Sequence, residues 1–428
     1  MFFFNKLILN ISSLKFAISL LIFIAFSSGI GTLIPQGMEK KDYLESYKNN
    51  PIFGFIDGDK ILLLEFDHIY TSTWFLLSLF LLCISLASSS VRKQIPTLKA
   101  SLRWLDYDSI EKFNNLQLVC KWNKTGGKET ITNANEILKN QGWEILKKEN
   151  RLLARKGVFG RAGPILVHTG LIILLIGAAY GNFTRNSLEE YLIPNESLDL
   201  INDVSKEKFS LKLKNFNIQR EDDGLPKQFT SNLEIYSNES NEKIKKQTEV
   251  NHPLRYKGLT IYQADWAISK IILEIDKINY QFNLKPVPEI GNQIWGVLVE
   301  LGKNTKKNYL FTIDNESGPL KIFDVIDFSE KNLYLNEKAI KVNSTDIKLI
   351  KIIPSSGLII KSDPSIPVIY FSFVLILIGA SLSLIPTKRI WLLNDIYSKN
   401  YYMGGLCNKN LSGFELEFNK LFEKIKDT

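Results

Sequence analysis

The chain has 428 residues, a formal net charge of +8 and a pI near 9.0, with 45% apolar side chains and a mean hydropathy of −0.03 that averages strongly apolar stretches with strongly polar ones. Its three cysteines (Cys83, Cys120, Cys407) form no C-x-x-C, so a disulfide framework, a thiol redox pair and a zinc cluster are not expected. The positive excess lies largely in one basic loop and forms no compact patch with stacking aromatics, which sets nucleic-acid binding aside.

In chain order, residues 1–15 form a short N-terminal segment with Lys6 and Lys15, and the first apolar run follows, Phe16–Pro35. A spanning helix needs about 20 mostly apolar residues. Three more runs meet that need, Tyr70–Ala87, Pro164–Tyr180 and Ile366–Ile385, and none of the four holds Lys, Arg, Asp or Glu. The first run can also be read as a cleavable signal peptide ending in "AFSSGIG", although its apolar character continues through Ile34. Either way the next segment lies outside the cytoplasm. The basic stretches "VRKQIPTLKASLR", "RLLARKGVFGR" and "PTKR" then orient all four spans consistently by the positive-inside rule. The expected layout is span 16–36, outer loop 37–69, span 70–91, cytoplasmic α+β loop domain 92–163, span 164–182, large outer domain 183–365, span 366–386 and cytoplasmic tail 387–428.

Within the loop domain, "LQLVCKW" alternates as a strand, "TNANEILKNQG" reads as a capped helix closed by Gly142, and "WEILKKENRLLARKG" reads as a hairpin. The outer domain carries short β-branched and aromatic segments separated by Gly, Asn, Asp and Pro turns, from "FSLKLKNFNIQ" through "NYLFTI". A β-sandwich or open barrel is expected there, with a bulge where the apolar period of Leu211, Leu213, Phe216 and Ile218 slips. In the tail, Phe414, Phe418, Leu421, Phe422 and Ile425 share one face of an amphipathic helix, suited to packing on the loop domain or to the membrane interface. The fold class is thus an integral membrane protein of four transmembrane helices, with a large β-rich extracytoplasmic domain and a small α+β cytoplasmic loop domain.

Walker, Gly-x-Ser-x-Gly and His-Glu-x-x-His patterns are missing from the sequence, so no catalytic residue is assigned. Attention falls on His168, one of three histidines, which sits about 6–9 Å inside the cytoplasmic end of the third span at 1.5 Å per residue. An imidazole at such depth needs a partner. It is either bonded to a Ser, Thr or carbonyl of a neighbouring helix, or it is a ligand for iron. One histidine supplies one axial ligand, so heme would take a second from another subunit.

Five stretches, in order along the chain, carry a resemblance: "GTLIPQ" (Gly31–Gln36), "YTSTWF" (Tyr70–Phe75), "HTGLIILLIGAAYG" (His168–Gly181), "NHPLRYKGLTIYQADW" (Asn251–Trp266) and "SGLIIKSDPSIPVIYFSFVLILIGASLSL" (Ser356–Leu384). The chain resembles the ResB/CcsB family, the membrane component of System II cytochrome c biogenesis, in its compact cyanobacterial and chloroplast type. The resemblance implies a thylakoid membrane protein with its large domain in the lumen, paired with a CcsA-type heme-handling partner. Together they would carry heme b across the membrane, keep it reduced and present it to apocytochromes with a C-x-x-C-H motif, namely cytochrome f and a soluble lumenal c-type cytochrome. This chain would be a non-catalytic subunit of the heme lyase complex, and His168 matches the family's third-span heme ligand.

Asn251, Pro253, Tyr262, Gln263 and Trp266 could form a lumenal surface for the partner or the apocytochrome. The same motif also reads as a turn entering a core strand, since Pro253 restricts His252 to extended geometry. His252 is expected at the surface, and His68 at the outer interface. Ser365 stands where the family usually has Gly, which puts that turn's conformation in question. The alternative function is a membrane-anchored scaffold or sensor whose outer β-domain binds a peptide or glycan. A solute transporter is disfavoured, because no broken helix or paired intramembrane charge is evident.

Overall fold

A computed structural model of the chain describes residues 9–123, 127–201, 207–222, 224–237, 243–291, 293–302, 306–327, 329–395, 398 and 400–427, with the side chains of 127 and 128 left aside; Lys6 lies outside the described residues. The chain divides into two compact units, Met1–Asn182 with Ser365–Thr428, and Phe183–Pro364.

The first unit is built on helices α1 (Leu14–Leu33), α2 (Thr73–Leu102), α3 (Gly127–Asn140), α4 (Gly163–Thr184), α5 (Ile366–Ser383) and α6 (Leu411–Asp427). Among the described residues, four helices are long and apolar enough to cross a membrane: α1, α2, α5, and α4 together with the turn before it, Val158–Thr184. They coincide with the four apolar runs. Helix α2 continues well past the run that seeds it. Regular α-helix over Thr73–Ser89 gives way to a π-turn at Ser90–Gln94, then resumes over Ile95–Leu102. Pro96, in the first turn of the resumed segment, has no N–H to offer the preceding turn, and a π-turn absorbs that interruption without breaking the rod.

Helices α4 and α5 meet at backbone distance. Gly163, Gly170 and Gly177 recur every seven residues on α4, and each faces α5. A Cβ on Gly170 would stand 2.7 Å from Ile376 Cγ1 and 3.0 Å from the Ser372 carbonyl oxygen; one on Gly379 of α5 would stand 2.7 Å from the Val167 amide nitrogen. Small residues are what lets helices in lipid, which has no hydrophobic drive of its own, gain van der Waals contact.

The same unit holds a five-stranded antiparallel sheet in the order Leu118–Asn123, Asn400–Cys407, Lys388–Asp395, Arg151–Lys156, Glu144–Lys147. The loop between α2 and α4 thus supplies both edges and the inner strand Arg151–Lys156, and the tail inserts the other two inner strands, an arrangement the expected loop domain 92–163 lacks. Helix α6 buries Phe414, Phe418, Leu421 and Ile425 against one face of this sheet, beside Trp122, Ile131, Leu138 and Met403. The apolar stripe of the tail therefore lies in a protein core. On the other face Trp391 stacks on Tyr107 with ring centroids 4.5 Å apart, next to Phe113 and Tyr402.

The second unit contains three antiparallel sheets around one core. Its centre is the pairing of two long strands, Leu259–Ile275 with Thr345–Ser362. On one side lies the meander Ser197–Ile201, Lys208–Arg220, Pro226–Ser237, Lys243–Glu249; on another lies Lys285–Pro286, Trp295–Leu301, Lys307–Ile313, Leu320–Asp324, Glu330–Leu333. The arrangement has three sheets where a sandwich has two. One continuous cluster of buried residues, including Leu211, Ile235, Ile261, Trp266, Phe311 and Leu358, joins all three. The expected bulge is present as a register shift between Leu213 and Asn215.

Candidate functional site

His168 is carried on α4, the helix whose glycines fix it against α5, and its imidazole reaches the π-turn of α2. Nδ1 lies 3.1 Å from Ser90 Oγ and 3.3 Å from the Leu86 carbonyl oxygen, and Nε2 lies 3.1 Å from Gln94 Nε2. An amide nitrogen can only donate, so the ring nitrogen facing Gln94 holds a lone pair and Nδ1 carries the proton. Ser90 Oγ in turn donates to the Leu86 carbonyl at 2.9 Å. Ser90 and Gln94 stand at the two ends of the π-turn, four residues apart, and both reach the one ring. The imidazole is half-buried.

The site therefore has a defined polarity. The Nδ1–H is held by oxygen acceptors, an arrangement that fixes tautomer and ring orientation. The nitrogen with the lone pair is covered by a neutral amide on a flexible side chain. Such a nitrogen can ligate a metal or accept a proton once the amide turns aside. Among the described residues no group of three or more His, Cys, Asp or Glu side chains is placed to hold a metal ion.

The other histidines sit in different surroundings. His68 Nδ1 lies 2.9 Å from Asp67 Oδ2 on a turn that follows the first loop. That loop is organised by Gln36, whose Oε1 accepts from the Ile69 amide at 3.0 Å and whose Nε2 donates to the Ile34 and Phe66 carbonyls at 2.8 and 3.0 Å. In the second unit His252 is exposed.

Of the motif Asn251–Trp266, Asn251 is exposed with a left-handed φ of 66°, Pro253 is half-buried and Tyr262 is exposed beneath Lys361, whose Nζ is 5.5 Å from the ring. Gln263 and Trp266 are interior, 5% and 7% exposed, which removes both from any contact surface in this conformation. Gln263 Oε1 accepts from Ser231 and Ser356 at 2.6 and 2.8 Å, and its Nε2 donates to the Asp265 carbonyl at 2.8 Å, filling the bulge in the long strand. Trp266 packs on Trp295 and Phe229. A turn-and-strand role accounts for these two side chains. Ser365 caps α5 with φ −78° and ψ −22°, right-handed geometry open to any L-residue, so the departure from glycine costs nothing there.

A model of the ResB-like family matches residues 14–341 and 299–419. The cytochrome c biogenesis protein CcsB of Prochlorococcus marinus (strain MIT 9301) is 58% identical over 423 residues, covering 99% of this chain and 99% of that protein. The protein of the same name from Prochlorococcus marinus (strain NATL1A) is 41% identical over 419 residues, covering 97% and 98%. Among solved structures, the cytochrome c heme lyase CcmF aligns with 76% of this chain and 42% of its own at 10% identity and a TM-score of 0.25, too slight a likeness to carry an argument.

Proposed function

The chain belongs to the ResB-like family, and on that premise we propose that it serves the maturation of c-type cytochromes at the heme-attachment step. In this reading it pairs with a CcsA-type membrane protein, takes heme b as cargo near the cytoplasmic ends of its helices, and delivers it reduced to apocytochrome thiols. The large β-rich unit then lies on the far side, in the thylakoid lumen, as the charge distribution around the spans supports. The acceptors are the C-x-x-C-H motifs of cytochrome f and a soluble c-type cytochrome, with Asn251 and Tyr262 as the exposed part of a contact surface.

One observation carries the reading: within a spanning helix, a histidine is held as a single tautomer with its Nε2 lone pair available behind an amide. His168 Nε2 is the atom that would bind heme iron. Leu86 and Ser90 hold the opposite nitrogen's proton, Gln94 withdraws, and the second axial ligand comes from the partner. The test is the visible spectrum and heme content of the co-purified pair, for wild type and for His168→Gly, with and without imidazole. Loss of the heme band in the variant and its return with imidazole establish the ligand.

A second reading has its own observation. Both ring nitrogens of His168 already have partners inside this chain, as a purely structural interhelical bond requires. Heme would then belong to the partner alone, and the His168→Gly complex would keep its spectrum.

A further inference from the structure

Beside the His168 site the first unit has a second polar feature that the cargo reading does not use. A cavity of about 360 Å³ opens where the spanning helices end, and its polar lining is Thr97, Ser101, Arg161, Thr387, Arg389 and Asn408. Thr97 and Ser101 lie on the last turns of α2, Arg161 immediately precedes α4, and Thr387 and Arg389 follow α5. Leu105 and Leu406 line it as well, so the cavity has an apolar flank.

Its charge is unbalanced. Arg389 Nη2 donates to the Ala100 and Ser101 carbonyls at 3.2 and 2.9 Å, capping the negative end of α2. Nothing comparable holds Arg161, whose buried Nε has no hydrogen-bond partner. Among the described residues neither guanidinium has a carboxylate at ion-pair distance, whereas nearby Arg155 has Glu144 at 2.7 Å. Burial, and then the charges of Arg155 and Arg161, hold the Arg389 guanidinium below its usual range. The Thr97, Ser101 and Thr387 hydroxyls donate to the carbonyls of Lys93, Leu98 and Gly157, and among the described residues none of the three accepts from either guanidinium. A buried donor such as the Arg161 Nε–H is costly to leave without a partner, and forked guanidiniums match planar or tetrahedral oxyanions.

We propose that this cavity is a binding site for the oxyanion head of an amphiphile, with Arg161 and Arg389 as its ligands and the apolar flank along the helices receiving the rest of the molecule. Two sources share that chemistry: the phosphate of an anionic phospholipid, and the carboxylates of heme. Only the second rests on the cargo reading. The register of the helices suits it, because Arg161 precedes His168 by seven residues, about 10 Å of helix rise. Ser90, Gln94, Thr97 and Ser101 also succeed one another at spacings of four, three and four residues from the imidazole to the cavity.

The experiment uses the full-length protein co-purified with its CcsA-type partner in phosphatidylcholine nanodiscs. It compares wild type with Arg161→Gln, and with Arg389→Lys in case the first variant folds poorly. The probes are dihexanoyl-phosphatidylglycerol against dihexanoyl-phosphatidylcholine, and heme against heme dimethyl ester, whose carboxylates are blocked. Wild type should prefer one anionic probe over its neutral counterpart by about tenfold, the size of a hydrogen bond to a charged group. Arg161→Gln should lose most of that preference, and Arg389→Lys, which keeps charge but not the fork, should lose part. Preference for the glycerol lipid makes the ligand a lipid head; preference for heme over its ester makes it the cargo. Equal preferences in wild type and Arg161→Gln, or none in wild type, overturn the site. Heme and ester binding alike but lost in His168→Gly would leave the cargo reading standing without it. A lipid preference dependent on Arg161, with no binding of either heme species, would do the reverse.

Discussion

If His168 takes heme iron, as proposed, replacing Gln94 with leucine should tighten heme binding. In the present arrangement the Gln94 amide occupies His168 Nε2 at 3.1 Å, so iron can reach that nitrogen only in molecules where the bond is broken. Interhelical hydrogen bonds in membranes average about 0.6 kcal/mol and reach about 1.7 kcal/mol. Removing such a competitor raises apparent affinity by the inverse of the open fraction, about 4-fold to about 19-fold. Leucine preserves the bulk and, apart from His168 Nε2 itself, leaves no polar atom stranded, because Ser90 Oγ, 3.1 Å from Gln94 Oε1, also donates to Leu86 at 2.9 Å and retains that acceptor. The assay is an optical heme titration of the protein with its CcsA-type partner, for wild type, Gln94→Leu and the double variant with His168→Gly. The gain should appear in the single variant and vanish in the double. An affinity that stays level or falls in Gln94→Leu would refute the reasoning, because the amide would then be supporting the imidazole and not competing for it.

Other expectations follow from packing and charge. Gly379→Ala places a methyl 2.7 Å from the Val167 nitrogen and 2.8 Å from the Gly163 carbonyl oxygen, so α4 and α5 must separate at a cost of about 1–3 kcal/mol. Gly29→Ala on α1, with nothing within 4 Å, should be neutral or slightly stabilising. Equal thermal stability of the two variants in detergent would show that the glycine contacts do not set the helix spacing. Phe418→Ala, at a position 1% exposed in the small sheet's core, should cost about 3–5 kcal/mol and open that sheet to limited proteolysis. A digestion pattern like wild type's would count against the packing of α6. Asp106 receives Arg151 Nε and Nη2 at 2.7 and 2.9 Å and also pairs with Lys148; hydrogen bonds from Arg151, and then from Lys148, hold its carboxyl below the usual range. Its folded value lies under its unfolded value, so its contribution is complete above about pH 4 and fades as pH falls through the folded value. Asp106→Asn should flatten the acid limb of a stability-against-pH curve, and an unchanged limb would contradict that.

How much the sequence reveals differs by element, and the reasons are physical. Lipid-facing helices advertise themselves because every turn must be apolar, and all four runs are where the spanning helices lie. The bulge after Leu213 shows in the sequence because a strand with one buried face has period two, and an extra residue breaks it. The strands Lys388–Asp395 and Asn400–Cys407 do not show themselves. They are central in a sheet covered on both faces, so "IWLL" and "YYMGG" are buried without alternation, and one partner, Arg151–Lys156, lies more than 230 residues away. His168 stands out as a polar group in an apolar run, but Gln94 does not, because "VRKQIP" reads as a basic flank until Pro96 is seen to require a π-turn. The Arg161 and Arg389 cavity draws on three separate segments, which no local pattern joins.

The strand order of the small sheet has a consequence for synthesis. Both edge strands and the inner strand Arg151–Lys156 precede the large unit in the chain, while the two strands that sit between Leu118–Asn123 and Arg151–Lys156 follow it. A ribosome making this protein from the N-terminus therefore produces the edges first, and they wait with open backbone donors and acceptors through the translation of some two hundred residues. Only when the last span has emerged and the tail is free can the centre be inserted. A chain stopped at Pro386 would carry the three loop strands without the two that join them, leaving the pairing edges of Leu118–Asn123 and Arg151–Lys156 open.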